Sequence, residues 1–380
     1  MKITGDWISH PGTQALCRVL EAAGHQALFV GGCVRNALLH VPVSDIDIAT
    51  DAVPQTVSVL AENAGFRAVP TGIDHGTVTV IADGRAHEVT TFRRDVETDG
   101  RHAVVAFSAN VAEDAARRDF TMNALYADLR GTLIDPLGGL PDLLARRVRF
   151  VGDPAARIAE DYLRILRFFR FTAQHGDPEA GIDAEGLAAC AANIAGIETL
   201  SRERIGAEMR KLLAAADPAR AVAAMAAAGV LAMVLPGADH KGLAPLVHLE
   251  ADAPPRWQRR LAVLGGQDVA ERLRLSRQES SELGRISDEI GSGHGPAGLG
   301  FVLGPVLAQD VVLARAALFG ADLPRDWQAD IARGAATPFP VTAADLMPAL
   351  QGAVLGARLK ELQARWLASD LRLTRDQLLG

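Results

Sequence analysis

The chain has no apolar run near the ~20 residues that a membrane-spanning helix needs, so no such span is expected. Its opening residues, MKITGDWISH, lack a basic segment followed by an apolar one, and no secretory signal is expected. Cysteine is scarce. Cys17, Cys33 and Cys190 are widely scattered, with neither metal-ligand spacing nor a disulfide framework. That pattern fits a reducing cytoplasm. Excess positive charge is also missing, because the formal net charge is −7. A surface coated with nucleic-acid affinity is therefore disfavoured. A local basic cleft is not excluded, since net charge averages over the whole surface. No internal repeat of fixed period is present.

What is there is enough for more than one core. The 380 residues are 49% hydrophobic and 22% charged, which suits two or three domains. Residues 1–150 read as α/β. Gln14–Ala23 has helical spacing, Ala27–Val30 is a short strand, and Gly31-Gly32 opens a turn into a helix over Val34–Leu39. Ser44–Thr50 alternates as a strand, and a helix follows at about Pro54–Asn63. Thr77–Ile81 and Ala86–Phe92 alternate around Asp83-Gly84, a hairpin signal. After residue 150 strand-like runs nearly vanish, and alanine and leucine recur at helical spacing. Helices are expected at Ala155–Thr172, Arg202–Ala215, Pro218–Ala228 and Arg256–Gly265. Arginines crowd the first half, among them Arg93, Arg94, Arg117, Arg118, Arg164, Arg167 and Arg170. Solvated helix faces and phosphate contacts both explain that crowding.

The chemistry centres on Asp45-Ile46-Asp47-Ile48. On a strand, side chains alternate faces, so the two aspartates point one way and the two isoleucines into the core. Neighbouring carboxylates repel each other and are tolerated around a hard cation such as Mg²⁺. A lone pair of this kind is more often a solvated strand edge. Here it follows Phe29-Val30-Gly31-Gly32-Cys33-Val34-Arg35-Asn36. Glycines let backbone approach a triphosphate, and N–H groups at a helix start bind anions. Arg35 would then reach a phosphate. A third carboxylate would complete a two-metal site of the kind that activates a 3′-hydroxyl and stabilises leaving pyrophosphate. Glu88 is the candidate, and an exposed strand glutamate is the equal alternative.

GGCVRN followed by DIDIAT resembles the signature of class II nucleotidyltransferases of the polymerase β superfamily, the bacterial CCA-adding enzymes and poly(A) polymerases. Further motifs follow in the family's order. Arg117-Arg118-Asp119-Phe120-Thr121-Met122-Asn123-Ala124 resembles the ribose-reading motif. Asp135-Pro136-Leu137-Gly138-Gly139, with Asp142-Leu143, resembles the flexible connection of head and neck. Glu160-Asp161-Tyr162-Leu163-Arg164, continuing to Arg167, resembles the nucleotide-selecting motif. Arg202-Glu203-Arg204-Ile205, with Glu208, resembles the last, helix-stabilising one. The resemblance spans roughly residues 28–215 and weakens beyond. One departure is Asn36, where the family usually has Asp. The amide keeps hydrogen bonding and loses the charge.

The resemblance implies a fold and an activity. The fold would be an α/β head over 1–145, with a small mixed or antiparallel sheet, then an all-α neck over 146–215 and a helical body and tail over 216–380 that binds tRNA. The activity would be template-independent addition of CCA to the 3′ end of tRNA from CTP and ATP, with two Mg²⁺ ions and release of pyrophosphate. Asp45, Asp47 and Glu88 would be catalytic, with Asp45 and Asp47 on the metal. Gly32, Arg35, Arg118, Asp119, Asn123, Asp161, Arg164 and Arg167 would bind nucleotide. Asp119 would accept from ribose hydroxyls, and Arg167 would lie near the triphosphate.

Selection has its own logic. Asp161 and Arg164 are three apart on an expected helix and would share a face. A carboxylate only accepts hydrogen bonds and a guanidinium only donates. Cytosine and adenine both offer an amino donor beside an acceptor nitrogen, while uracil and guanine offer the reverse. The pair therefore matches C and A. An ordinary surface ion pair has the same spacing.

Elsewhere, Tyr162, Phe168, Phe169 and Phe171 are expected mostly in a core. His75, His87 and His102 show no partner pattern, and Asp239-His240 has the wrong order for a metal hydrolase. Gly72–Gly76 and Glu97–Phe107 read as mobile loops, and Asp95–Phe107 is expected to cover the nucleotide. Rival readings are a poly(A) polymerase, a CC-adding or A-adding enzyme, a non-catalytic RNA-binding relative, and a small-molecule nucleotidyltransferase. Poly(A) polymerases tend to carry basic extensions for RNA grip, and none is expected here, where the chain is acidic overall.

Overall fold

The computed structural model describes residues 1–73, 76–98, 103–251 and 253–380, with backbone alone for 95–98 and 103–105. The chain forms two compact units, one from residues 1–201 with 227–233 and one from residues 202–226 with 234–380. The boundary expected after 145 falls inside the first unit, and that expected after 215 falls inside the second.

The first unit is built on a seven-stranded mixed sheet. Its strands are β1 (Leu28–Val30), β2 (Asp47–Thr50), β3 (Arg67–Gly72), β4 (Thr77–Ala82), β5 (Arg85–Thr91), β8 (Tyr126–Ala127) and β9 (Leu133–Ile134), in the order β3-β4-β5-β2-β1-β8-β9. β2 and β5 run parallel, and the other neighbours are antiparallel. β6 (Arg93–Thr98) and β7 (Ala103–Phe107) pair separately. They correct the loop expected over Glu97–Phe107, while Asp74, His75 and residues 99–102, including His102, lie outside the described residues. The β4–β5 turn is the one the sequence announced. Asp83 and Gly84 both have positive φ, 49° and 73°, as a two-residue hairpin turn matched to strand twist requires.

Alternation along these strands buries one face. Val78, Val80 and Ala82 of β4, His87 and Val89 of β5, and Ile48 of β2 are buried. Helices Pro11–Ala22 and Pro54–Asn63 contact β4. Leu28, Val30, Ala49, Phe92, Ala124 and Tyr126 form a second cluster.

Next comes a ring cluster in which Phe120, Phe150, Phe168 and Phe171 touch at centroid distances of 5.0–6.4 Å. Phe168, Phe169 and Phe171 are buried as expected, and Tyr162 is half-buried. The single helix expected over Ala155–Thr172 is two helices, Pro154–Glu160 and Leu163–His175. The break is at Asp161, whose backbone is extended (φ −154°, ψ 102°) and whose Oδ1 accepts from Leu163 N at 3.1 Å. Short polar side chains compete with helix hydrogen bonds in this way, which is why Asp caps helices better than it continues them.

The second unit is helical throughout its described secondary structure. Helices Pro296–Leu303 and Trp327–Ala336 approach backbone to backbone. A Cβ on Gly334 would sit 1.9 Å from the Ala297 carbonyl, and one on Gly300 2.2 Å from that of Ile331, so neither position admits a side chain. Four buried charges join other helices. Arg259 donates to Glu250 (2.7 Å) and Asp310 (3.0 Å), and Arg260 donates to Glu250 (2.7 Å) and to the Leu213 and Ala216 carbonyls (2.7 and 2.9 Å). Those carbonyls lie at and just past the end of helix Arg202–Leu213, where the last acceptors have no partner within the helix. Among the described residues, no helix is long and apolar enough to cross a membrane.

Candidate active site

The site begins where β1 ends. Gly31 has φ +68° and ψ −120°, a conformation that side-chain-bearing residues avoid. The turn delivers the chain into helix Gly32–Leu38 and leaves Arg118 Nη1 about 3.5 Å from where a Gly31 Cβ would be. Gly32 lies beside the Arg35 guanidinium.

β2 lies next to β1 and carries the carboxylates. Ile46 and Ile48 are buried, Asp47 is half-buried and Asp45 exposed, as alternation requires. The strand begins at Asp47 rather than at the expected Ser44, so Asp45 stands just before it. Ser44 Oγ donates to Asp45 Oδ2 at 2.9 Å. Asp47 is in register with Glu88 across the parallel β2–β5 pair, which puts both on one face a strand spacing apart. Glu88 N donates to the Ile46 carbonyl at 3.0 Å. Burial pushes the Asp47 carboxyl up to about 6, and Glu88 and Asp45 push the same way against Arg118 and Arg35.

Among the described residues, no three acidic, histidine or cysteine side chains cage a metal by themselves. The donor set still fits a hard divalent cation. Its oxygens are crowded, Arg118 and Arg35 offset only part of the repulsion on Asp47, and Mg²⁺ is commonly held by one or two carboxylates with phosphate oxygens completing its shell.

A hydrogen-bonded chain runs from Arg35 to Arg167. Arg35 Nη1 donates to Asn123 Oδ1 (2.6 Å), and Asn123 Nδ2 donates to Asp119 Oδ1 (3.0 Å). Asp119 Oδ2 accepts from Arg167 Nε (2.8 Å) and Nη2. Burial would raise the Asp119 carboxyl, but Arg167, Asn123 and the Phe120 N–H outweigh it and hold it below the usual range. Both Asp119 oxygens therefore already serve protein donors. Arg35, Arg167 and Arg170 gather around the Phe171 ring at 5.2, 5.3 and 4.4 Å. Burial pulls Arg35 down to about 10, Asp119 opposing and the two other arginines adding to the fall. Burial, with Arg35, Arg170 and Arg146 adding to it, lowers His175 to about 3, so it is neutral there.

Arg118 is held from below. Its Nε donates to Tyr126 Oη (3.0 Å) and its Nη2 to Asp114 Oδ2 (2.9 Å), while Tyr126 Oη donates to the same oxygen (2.7 Å). Sequence reasoning missed Asp114 and Tyr126. The i,i+4 spacing of Asp114 and Arg118 was a usable signal, whereas nothing local pointed to Tyr126.

Asp161 and Arg164 do not share one helical face as expected, because the helix break separates them. Arg164 Nη1 donates to Glu160 (2.5 Å) and the Arg157 carbonyl (2.7 Å), and Nη2 to the Arg117 carbonyl (2.9 Å). Asp135 accepts from Gly139 N and Leu140 N at 2.8 and 2.9 Å, so the segment read as a flexible connection carries its own cap. His87 is buried, with Nε2 2.8 Å from Thr13 Oγ1, and burial lowers its pKa. Asp239 is exposed and caps Lys241 N.

Comparison with known proteins accords with this geometry. Residues 27–149 match the model of the poly(A) polymerase head domain, and residues 181–241 match that of the probable RNA and SrmB-binding site of polymerase A. The CCA-adding enzyme of Streptococcus gordonii is 38% identical over 280 residues, covering 71% of this chain and 68% of that protein. The chain belongs to the CCA-adding enzyme family. A Bacillus stearothermophilus CCA-adding enzyme, solved in complex with CTP, is 30% identical with a TM-score of 0.73, over 94% of this chain and 93% of that one. The human mitochondrial CCA tRNA nucleotidyltransferase 1 is 42% identical over 203 residues, covering 53% of this chain and 47% of that protein. The chain spans about half the length of the first curated relatives it matches. The matched head-domain region contains Asp45, Asp47, Glu88 and the Arg35–Asn123–Asp119 chain. It ends before Asp161, Arg164 and Arg167.

Proposed function

We propose that this chain adds C, C and A to the 3′ end of tRNA, drawing on CTP and ATP and releasing pyrophosphate, in the cytoplasm. The observation that carries this reading is Asp47 in register with Glu88, beside Asp45, next to the Gly31-Gly32 turn and the Arg35 and Arg118 side chains. Asp45 and Asp47 would hold Mg²⁺, which when bound supplies charge stabilisation and an activated 3′-hydroxyl. Glu88 keeps the face acidic, which favours a cation there; Glu88 also raises the Asp47 carboxyl, and a bound cation would offset that and displace its proton.

The protein's own groups do the rest. Arg35 and Arg118 face the triphosphate, each braced so that its guanidinium needs no reorganisation when the ligand arrives. Asp119 holds Arg167 and Asn123 in place and reads the ribose through them. Base choice falls to Asp161 and Arg164. The three bonds that Arg164 makes leave its Nε–H and one Nη2–H for the acceptor nitrogen shared by C and A. A base offering a donor there would leave buried polar groups unpaired, at about 1–3 kcal/mol each. The helical residues 216–380 would bind the tRNA, with its acceptor end reaching the carboxylates.

Labelled nucleotides with Mg²⁺ and tRNA transcripts ending before CCA, after C and after CC test this directly. Two C then one A, and no more, is the expected product. A long A tail, or CC alone or A alone, would place the chain with the other activities of its superfamily.

A further inference from the structure

At position 36 this chain has an amide where its motif usually has a carboxylate, and the amide has two different partners. Asn36 Oδ1 accepts from Arg35 Nε (3.1 Å) and Nη2 (2.9 Å). Asn36 Nδ2 donates to the Pro42 carbonyl at 2.9 Å. The orientation of the amide follows from chemistry. A guanidinium only donates, so the oxygen must face Arg35, and a carbonyl only accepts, so the nitrogen must face Pro42. The Asn36 main-chain carbonyl also accepts from Val41 N at 3.0 Å. Asn36 thus grips both ends of a junction. On one side is Arg35, itself tied to Asn123. On the other is the segment 39–46, which has no regular secondary structure beyond its first turn residues and which ends in Asp45 and Ile46.

We propose that Asn36 is a positioning residue that ties the Asp45-bearing segment to Arg35, a task that the carboxylate usual at this position cannot perform. An ionised carboxylate in place of the amide would bond Arg35 at least as well. It would have no proton to offer Pro42 and would set two acceptor oxygens against each other at hydrogen-bond distance. The tie therefore fixes the distance between the group that meets the phosphates and the first carboxylate, and it does so with a donor that a carboxylate lacks. The proposal rests on the transfer reading above for its kinetic consequence, and on the geometry alone for the tie itself.

The variants N36D and N36A separate the two bonds. N36D keeps the contact with Arg35 and loses the one to Pro42, and N36A loses both. In nucleotide-free protein, hydrogen exchange of segment 39–46 should quicken in both variants, while exchange in the β4–β5 hairpin stays unchanged and certifies the fold. In CTP incorporation into a tRNA transcript lacking CCA, kcat of N36D should fall by about threefold, the worth of one solvent-accessible hydrogen bond, with KM for CTP within about twofold. N36A should fall further and raise KM as well, because Arg35 is then released. An N36D enzyme with wild-type kcat, or with unchanged exchange over 39–46, would overturn the proposal. If the wild-type chain incorporates no nucleotide, the transfer reading fails, and the exchange comparison still decides whether the tie exists.

Discussion

Two regions of this molecule bury charge, and they do so in opposite ways. In the second unit Glu250, Arg259, Arg260 and Asp310 lie almost wholly inside the protein, and each meets an opposite charge at 2.7–3.0 Å. Burial still pushes the Asp310 carboxyl upward, with Arg256 and Arg259 opposing it. On the sheet of the first unit, Asp45, Asp47 and Glu88 crowd together, and among the described residues no cation is bonded to any of them. A compensated cluster holds helices in place. An uncompensated one stores repulsion that a ligand can relieve, and that difference marks the functional site more clearly than residue type does.

The largest expected effects follow from that contrast. Asp310→Ala would leave Arg259 with Glu250 as its one carboxylate and Arg256 with the more distant Glu282, and Glu250→Ala would leave Arg260 with backbone carbonyls alone. Each should cost about 3–5 kcal/mol, the penalty for breaking a buried pair, read as a lower urea midpoint. Asp47→Asn should do the reverse for stability while abolishing incorporation of every nucleotide. The pH dependence gives the sign. Folding raises the Asp47 pKa from its ordinary 3.8 to about 6, so the folded state binds that proton more tightly than the unfolded one. Its ionisation therefore disfavours folding, and the loss develops as pH rises between those two values. In metal-free protein the melting temperature of D47N should exceed that of wild type by a margin that is small at pH 4 and grows to a plateau above pH 6. A margin that shrank with pH would mean that Asp47 is compensated after all.

Much of this contrast was legible in the sequence, though unevenly. The strand that starts at Asp47, with Asp45 just before it, was readable because the period of two is strict: Ile46 and Ile48 had to be buried if the aspartates were not. The Asp83-Gly84 hairpin was readable because few residue pairs accept two positive φ angles. The break at Asp161 was not, because no Gly or Pro marks it and the apolar spacing continues through it. Its signal was the aspartate itself, a residue suited to capping the helix that starts at Leu163. β8 and β9, two residues each, are too short to show a period. The cluster in the second unit had no signal at all, since Glu250 and Asp310 lie sixty residues apart in the chain and meet only when the helices pack.

Smaller effects sharpen the comparison. Asp161→Ala should leave weak activity and blur the choice among C, A, U and G by about tenfold to a hundredfold, measured by competition among labelled nucleotides. Full C and A fidelity in that variant would remove Asp161 from base selection. Tyr126→Phe takes one brace from Arg118 and leaves Asp114 in place. It should cost about 1 kcal/mol, or roughly fivefold in kcat/KM, with stability little changed.

The most direct test is the melting temperature of wild type and D47N with CTP, in excess Mg²⁺ and in chelator. If the carboxylates on β2 and β5 are an uncompensated cation site, Mg²⁺ will raise the wild-type midpoint clearly and that of D47N little. An equal rise in both proteins would show that the metal binds without Asp47, and would contradict the placement of the site on this pair of strands.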